Sequence, residues 1–535
     1  MRTRRTLFLL IAILLLAAGV RIYRLNQQSF WADEFYSALL PAGRGHAELR
    51  LPRNVLLAEP PNLFDLKNAP SIAHVWRSDL EGHAPPLYMM AMRLWGEAFG
   101  LSQGSSRSFS VVMSLAAVAL IFVVVRELSG DAAGLWAALL LALAGPQVQY
   151  AQEARTYALL LVEGLGAAAA LVRIDRRGPT RWRELSLVLC VLAMALTHYF
   201  SLGAILALTI YAAVRLRGRT RMRVAACFAV AAVVWAILAA PTALRQSRNI
   251  ADPQQTFFLA DDAPNRVIGN LQRLGALPVR YFTEPMSHSL PAAAITGGIA
   301  LLLMPLLAVR RRDLALWPLW LWLTILPLLL LDVARGTQHL TYIRYTLLAS
   351  PALYGIVAAL LFDRRDADDA NDANDATHAP ASDASGATDA SGPPPRRRGR
   401  WIAHLPPSLV AIACLTSLSY AYSAWWKADW RSLAQQIDRA RQPNDVVIFF
   451  GHGRVDNPNS NFLFTSFYRH QPYGPTVLMD RPPDEALARE LEPFRGLLIV
   501  ALDGEELTRA FPRASFRRVT FEPGAAALWR AERSP

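Results

Sequence analysis

Apolar residues along this chain fall into long blocks separated by short arginine-rich stretches. The first block, TLFLLIAILLLAAGV, follows MRTRR. Further blocks long enough to approach the roughly 30 Å of a bilayer's hydrocarbon lie at 108–125, 132–150, 156–172, 185–200, 201–216, 222–240, 291–309, 314–332, 342–362 and 404–423. The pattern predicts a polytopic α-helical membrane protein of about eleven spans. A basic start and a short apolar core also suit a signal peptide, but no clean A-x-A site follows, so the first block reads as an uncleaved span.

Orientation follows from the placement of arginine, since short cytoplasmic loops are enriched in Lys and Arg. MRTRR, VRELSGD, RIDRRGPTRWRE, RLRGRTRMR, RRRD and DRRDADD…PPPRRRGR are the basic connectors, and eleven spans put them all on one side. The N-terminus is then cytoplasmic in a cell (inner or plasma) membrane. PPLYMMAMRLWGEAFG (85–100) carries Arg93 and Glu97 and is short; counting it as a span would scatter the basic loops, so it reads as an interfacial helix on the outer face. The chain divides into a transmembrane module, 1–362, with its first outer loop 21–107; a linker, 363–400; a last span, 401–424; and an extracytoplasmic tail, 425–535. The linker's Ala, Asp, Ser, Gly and Pro bury too little apolar surface to fold. In the tail, WWKADWRSLAQQIDRARQPNDVVIFF reads as an amphipathic helix and a buried strand, GLLIVALDG as another strand, and FRRVTFEPGAAALWRA as a hairpin, which is enough for a small α/β domain.

Composition adds to this picture. Of 535 residues, 53% are hydrophobic and 18% charged, sparse for a soluble protein of this size. The formal charge of +13 resides in connectors between apolar blocks, which argues against a nucleic-acid partner. Lys67 and Lys427 are the only lysines, and Cys190, Cys227 and Cys414 all fall in apolar blocks, so neither a disulfide framework nor a thiolate metal site is expected.

The outer face collects the polar chemistry. SFWADEFYSALL places Asp33 and Glu34 among Phe30, Trp31, Phe35 and Tyr36 shortly after the first span. GHAPPLY sets His83 before a Pro-Pro and includes Tyr88. YAQEARTY carries Glu153, Arg155 and Tyr157 between two spans, LTHYF ends another at His198 and Tyr199, and TYIRYTLLASP brings Arg344 and Tyr345. Ionisable groups at a bilayer usually mark a site. Plainer alternatives stand beside each: solvated juxtamembrane acids, arginines snorkelling to headgroups, a helix-capping His83, a packed His198. Glu163 lies deeper, in LLLVEGLGAAAA, and reads as a helix–helix hydrogen-bonding residue.

Taken in order, the acidic pair, the H-x-P-P-L-Y segment, SRSFSVVMSL, QEARTY and HYF resemble the GT-C glycosyltransferases of the ArnT and protein O-mannosyltransferase type (PMT-like, family 39-type). The resemblance covers roughly residues 1–220, with Arg344–Tyr345 and DWRSLAQQI…NDVVIFF adding to it. Members commonly have H-P-P-L, whereas this chain reads His83-Ala84-Pro85-Pro86-Leu87, and RLPRNVLLAEPPNLFDLKNAPSIAHVWRSDLEG lengthens the first loop, a candidate acceptor entrance.

The resemblance implies a GT-C fold and transfer of a sugar, with inversion, from a polyprenyl-phosphate donor to a hydroxyl of a lipid, glycan or protein acceptor outside the membrane. Attack by that hydroxyl calls for a general base, and a carboxylate partly shielded by rings can have its pKa raised. Asp33 is the expected base, with Glu34 positioning the acceptor or joining Asp33 in holding a divalent cation such as Mg²⁺ or Mn²⁺. Arg155 and Arg344 are the expected donor-phosphate ligands. His83, Tyr88, Glu153, Tyr157, His198, Tyr199 and Tyr345 are the expected substrate-binding residues. A lipid or glycolipid transporter is the alternative; it calls for internal repeats and midplane charges.

Overall fold

The structure is a computed structural model that describes residues 2–78, 85–250, 266–284, 290–361, 405–423, 427–451, 457–469, 473–501, 504–511, 514–521 and 526–533. The predicted linker 363–400 and His83 lie outside the described residues.

In chain order the helices are α1 (Arg2–Ile22), α2 (Ala32–Leu39), α3 (Ile72–Ser78), α4 (Leu87–Phe99), α5 (Gln103–Ser129), α6 (Asp131–Leu143), α7 (Gly145–Ala151), α8 (Tyr157–Arg177), α9 (Arg181–Thr197), α10 (Leu202–Arg215), α11 (Gly218–Ile250), α12 (Arg266–Thr283), α13 (Leu290–Arg310), α14 (Leu316–Arg335), α15 (Ser350–Leu361), α16 (Leu405–Ser423), α17 (Trp430–Ala440) and α18 (Pro458–Ser466), followed by two short helices in the tail. Among the described residues, α1, α5, α8, α11 and α14 are each long and apolar enough to cross a membrane, and α6 with α7 makes a sixth candidate, bent by 61°. Shorter apolar helices include α10, α13, α15 and α16.

The bend between α6 and α7 has a chemical cause. Pro146 has no N–H to return to Ala142, so the ladder breaks there. Arg21, fully buried, supplies the missing donors: its guanidinium gives hydrogen bonds to the carbonyls of Ala142 (2.8 Å) and Leu141 (3.2 Å) and to Ser114 Oγ (2.8 Å). The block 132–150 is therefore two helices rather than one.

A second departure lies at 342–362. Residues Ile343–Tyr345 and Leu347–Ala349 are 3₁₀ turns, and the helix begins only at Ser350, with Pro351 in its first turn where the missing N–H costs nothing. The stretch leading into these turns, His339–Thr341, is held from two sides. Asp332, near the end of α14, accepts hydrogen bonds from the backbone N–H groups of His339 and Leu340 (both 2.9 Å), and Arg280 of α12 donates to the carbonyls of Leu340 (3.3 Å) and Thr341 (2.8 Å). The helix α12 has no counterpart among the predicted spans; its apolar face is interrupted too often to read as one.

The tail supplies five strands of a six-stranded sheet: β1 (Leu56–Leu57), β2 (Asp445–Phe450), β3 (Thr476–Met479), β4 (Gly496–Ala501), β5 (Ala514–Phe521) and β6 (Ala527–Arg533), in the order β1-β3-β2-β4-β6-β5. β2 runs parallel to β3 and β4 and is buried along its whole length, as interior parallel strands are. β5 and β6 form the predicted hairpin.

The edge strand β1 comes from the first loop, pairing antiparallel to β3. Arg53 and Asn54 beside it bond to Asp480 (2.9 and 2.8 Å), and Phe30 and Phe35 of the loop stack on Phe467 and Phe464 (centroids 4.9 and 4.5 Å). A single core therefore contains Phe30, Phe35 and Leu39 together with Trp430, Val447, Phe449 and Leu498. The first loop and the tail thus share one core across position 425, while a second core draws its buried residues, Val446, Ile448, Phe450, Leu487 and Ile499 among them, from the tail alone. Arg53, Asn54 and Leu56–Leu57 of the first loop's inserted segment anchor the tail.

Candidate active site

Asp33 and Glu34 occupy the first turn of α2, where carboxylates suit the positive end of the helix dipole. Neighbouring positions on a helix point about 100° apart, and here the two side chains meet opposite environments.

Asp33 is half-exposed. Its Oδ2 lies 3.5 Å from Arg155 Nη2 and 3.6 Å from Arg344 Nη1, and the Asp33 carbonyl accepts a hydrogen bond from Arg155 Nη1 at 3.1 Å. The Arg344 guanidinium sits among the rings of Trp31 (4.8 Å to the centroid), Tyr345 (5.0 Å) and Tyr342 (5.1 Å), a cation–π cradle that also shields it from water. Sequence reasoning expected aromatic company for Asp33; the nearest partners are two guanidiniums, and the rings pack on the arginine instead.

Glu34 is sealed. Arg107 grips both its oxygens in a fork (2.8 Å each), Ala154 N–H donates at 2.9 Å, and Lys427 Nζ reaches it at 2.9 Å. Burial opposes its ionisation, but the charges of Arg107 and Lys427 and the hydrogen bonds from Arg107 and Ala154 outweigh it, holding Glu34 down at about 2. Its expected work, on the acceptor or on a cation, does not fit this geometry, because its lone pairs are already occupied. Nor does a metal pair with Asp33: Asp33 faces cations, and among the described residues no three His, Cys, Asp or Glu side chains converge. Among the described residues, those around Asp33 do not offer the all-oxygen shell that Mg²⁺ or Mn²⁺ requires.

A ring of aromatic groups runs on from Arg344. Tyr345 meets Phe200 edge-on (5.5 Å), Phe200 contacts His198 (4.9 Å), and His198 lies 6.5 Å from Tyr157. His198 Nδ1 accepts from Phe200 N–H at 3.2 Å, so that nitrogen carries no proton. Burial and the Arg155 charge push its pKa down to about 4. Tyr157, His198 and Tyr345 thus join the Asp33 cluster. Of the other expected substrate residues, Tyr199 turns its hydroxyl to Gln246, Tyr88 is fully buried against Phe109 and near enough to Arg155 to be felt electrostatically, and Glu153 is buried beside Lys427 (3.4 Å). Glu163, the deep carboxylate a transporter reading leans on, accepts from Thr197 Oγ1 of α9 at 2.8 Å, as a helix–helix hydrogen bond.

Sequence reasoning missed Arg107, Lys427 and the role of Trp31. Arg107 sits in the SRSF motif, where an arginine opening an apolar helix was a usable signal. Lys427, one of two lysines, was another.

Residues 83–244 match the family model described as dolichyl-phosphate-mannose-protein mannosyltransferase, a segment carrying Arg107, Arg155, Tyr157 and His198. Among solved structures, ArnT from Cupriavidus metallidurans in the apo state is similar over 99% of this chain and 98% of that one, at 14% identity and a TM-score of 0.55. ArnT from the same organism bound to undecaprenyl phosphate is similar over 97% of each chain, at 15% identity and a TM-score of 0.54. No match is found among curated protein sequences. The fold of this membrane chain is thus similar to that of the two ArnT structures, and the family match is carried by residues 83–244.

Proposed function

We propose that this chain transfers a sugar from a polyprenyl-phosphate donor to a hydroxyl of a lipid, glycan or protein acceptor at the outer face of the cytoplasmic membrane, with Asp33 as general base. The observation that carries this reading is the sharing of Asp33 Oδ2 between Arg155 and Arg344. Two guanidiniums converging on one carboxylate are also placed to take a phosphate. The undecaprenyl phosphate bound by the similar ArnT supports a polyprenyl-phosphate donor.

The donor's phosphate enters between Arg155 and Arg344 and displaces the Asp33 carboxylate from them. The 3.5 and 3.6 Å separations are looser than a charge-assisted hydrogen bond of about 2.7–2.9 Å, so the exchange gives up little. The released carboxylate then accepts the acceptor's hydroxyl. As the acceptor oxygen attacks the anomeric carbon, its proton passes to Asp33, the carbon–oxygen bond to phosphate breaks, and the electron pair leaves on the phosphate oxygen. Both guanidiniums then stabilise the added charge. Attack opposite the leaving group inverts the anomeric centre. The ring series Tyr157, His198, Phe200 and Tyr345 offers faces for the sugar.

Asp33→Asn retains the shape and removes the base. Turnover of hexosyl- or pentosyl-phosphoryl undecaprenol by the purified protein in proteoliposomes should fall by about 10³-fold, within the range of lost base catalysis, while membrane insertion is unchanged. Near-normal transfer would overturn the assignment.

A further inference from the structure

Of the 55 Lys and Arg residues only two are lysines, and one of them, Lys427, is almost completely buried at the root of the tail. In a chain that otherwise uses arginine as its cation, a lysine in such a place invites a geometric reason. Lys427 Nζ stands between two carboxylates, 2.9 Å from Glu34 Oε2 and 3.4 Å from Glu153 Oε1, and both acids are buried. A compact ammonium can bridge two such groups from a single point, whereas a planar guanidinium presents a wide fork.

The wider cluster is balanced. Glu34 and Glu153 face Arg107 and Lys427, with Arg344 and Tyr150 near enough to Glu153 to be felt electrostatically. Glu153 Oε2 accepts no hydrogen bond and borders a small cavity lined by Gln28, Gln149, Gln152 and Lys427. Glu153 therefore depends on Lys427 for its close compensation.

The position of this cluster in the chain gives it reach. Glu34 is the neighbour of Asp33, and the N–H it accepts belongs to Ala154, the neighbour of Arg155. Arg155 in turn donates to the Asp33 carbonyl. The base and one phosphate ligand thus project from two backbone segments tied to each other through Glu34. Two residues beyond Lys427, Asp429 accepts from Ser29 Oγ at 2.7 Å and caps α17, so the tail's first helix is fixed to the same segment.

We propose that Lys427 is a positioning residue for the transfer reaction: by bridging Glu34 and Glu153 from the root of the tail, it holds the segments bearing Asp33 and Arg155 in register. This rests on the function proposed above. Without the ammonium, Glu153 loses its closest cation beside Glu34, and the tie between the segments slackens.

The test is a double-mutant cycle on the full-length protein in proteoliposomes, using whichever undecaprenyl-phosphate sugar the wild type turns over. Lys427→Met should lower kcat by about 10²-fold, the cost of a misplacement near 1 Å, with donor KM changed less than about twofold. Glu153→Gln combined with Lys427→Met removes the acid left without its cation and should restore kcat to within about fivefold of Glu153→Gln alone. A wild-type kcat in Lys427→Met overturns the proposal. So does a folded double variant as slow as Lys427→Met. If Lys427→Met does not fold, Lys427→Arg takes its place: it keeps the charge, and kcat should drop several-fold at constant KM, an undiminished kcat again overturning the idea. Asp33→Asn run alongside separates the two claims, since an active Asp33→Asn defeats the base assignment, whereas an inactive one with a normal Lys427→Met defeats only the positioning role.

Discussion

Asp33 and Glu34 are adjacent in sequence and alike in chemistry, yet the fold treats them as different kinds of residue. Asp33 keeps about a third of its side chain accessible and meets its guanidiniums at 3.5 and 3.6 Å; Glu34 is completely enclosed and held at 2.8–2.9 Å by four donors. A loosely held, accessible carboxylate can change partners, whereas a saturated one can only hold its neighbours still. The acidic pair therefore reads as one working group and one fixture.

The largest break in that contrast comes from the fixture. Arg107→Met strips the fork from a carboxylate that cannot reach water. Losing one partner of a buried pair costs about 3–5 kcal/mol, and a correspondingly large drop in thermal unfolding temperature in detergent is expected. Glu34→Met together with Arg107→Met should recover a good share of it, because no charge is then stranded. A double variant no better than the single would show that the pair does not act as a unit.

A smaller effect belongs to the working side. Arg344→Ala should weaken binding of undecaprenyl phosphate by about 10- to 100-fold, equivalent to roughly 1.4–2.7 kcal/mol, and leave thermal stability nearly intact. Equal affinity in a binding titration would remove Arg344 from the phosphate site.

The smallest is a change of slope. His198 ordinarily titrates near 6.5 and is held here to about 4 by burial and Arg155. The unfolded chain takes up that proton more readily, so the contribution of His198 to stability is complete above pH 6.5 and is lost as the pH falls toward 4. His198→Asn, which can still accept from Phe200 N–H, should flatten the decline in unfolding temperature across that window. A slope identical to wild type would mean that His198 titrates normally.

How much of this is legible in the sequence depends on distance along the chain. The apolar blocks announce membrane helices because period and length are local properties, and the tail's strands announce themselves in the same way. The bend at Pro146 is half-visible: proline signals a break, but nothing local says that Arg21, over a hundred residues away, satisfies the freed carbonyls. Asp33, Arg155 and Arg344 can be named because charge beside a bilayer is costly and each stands at a block's edge. The role of Glu34 cannot, since Arg107, Ala154 and Lys427 meet it only through tertiary packing. The pairing of Leu56–Leu57 with the tail is equally hidden, two residues being too short a strand to leave a periodic signal.

The central claim is that the donor's phosphate takes the arginines from Asp33. A structure of the full-length protein in lipid nanodiscs with undecaprenyl phosphate bound tests it most directly. Phosphate oxygens should lie within about 3 Å of both Arg155 and Arg344, with the Asp33 carboxylate released from them and facing the acceptor side. Phosphate bound elsewhere, with Asp33 still between its two guanidiniums, would contradict it.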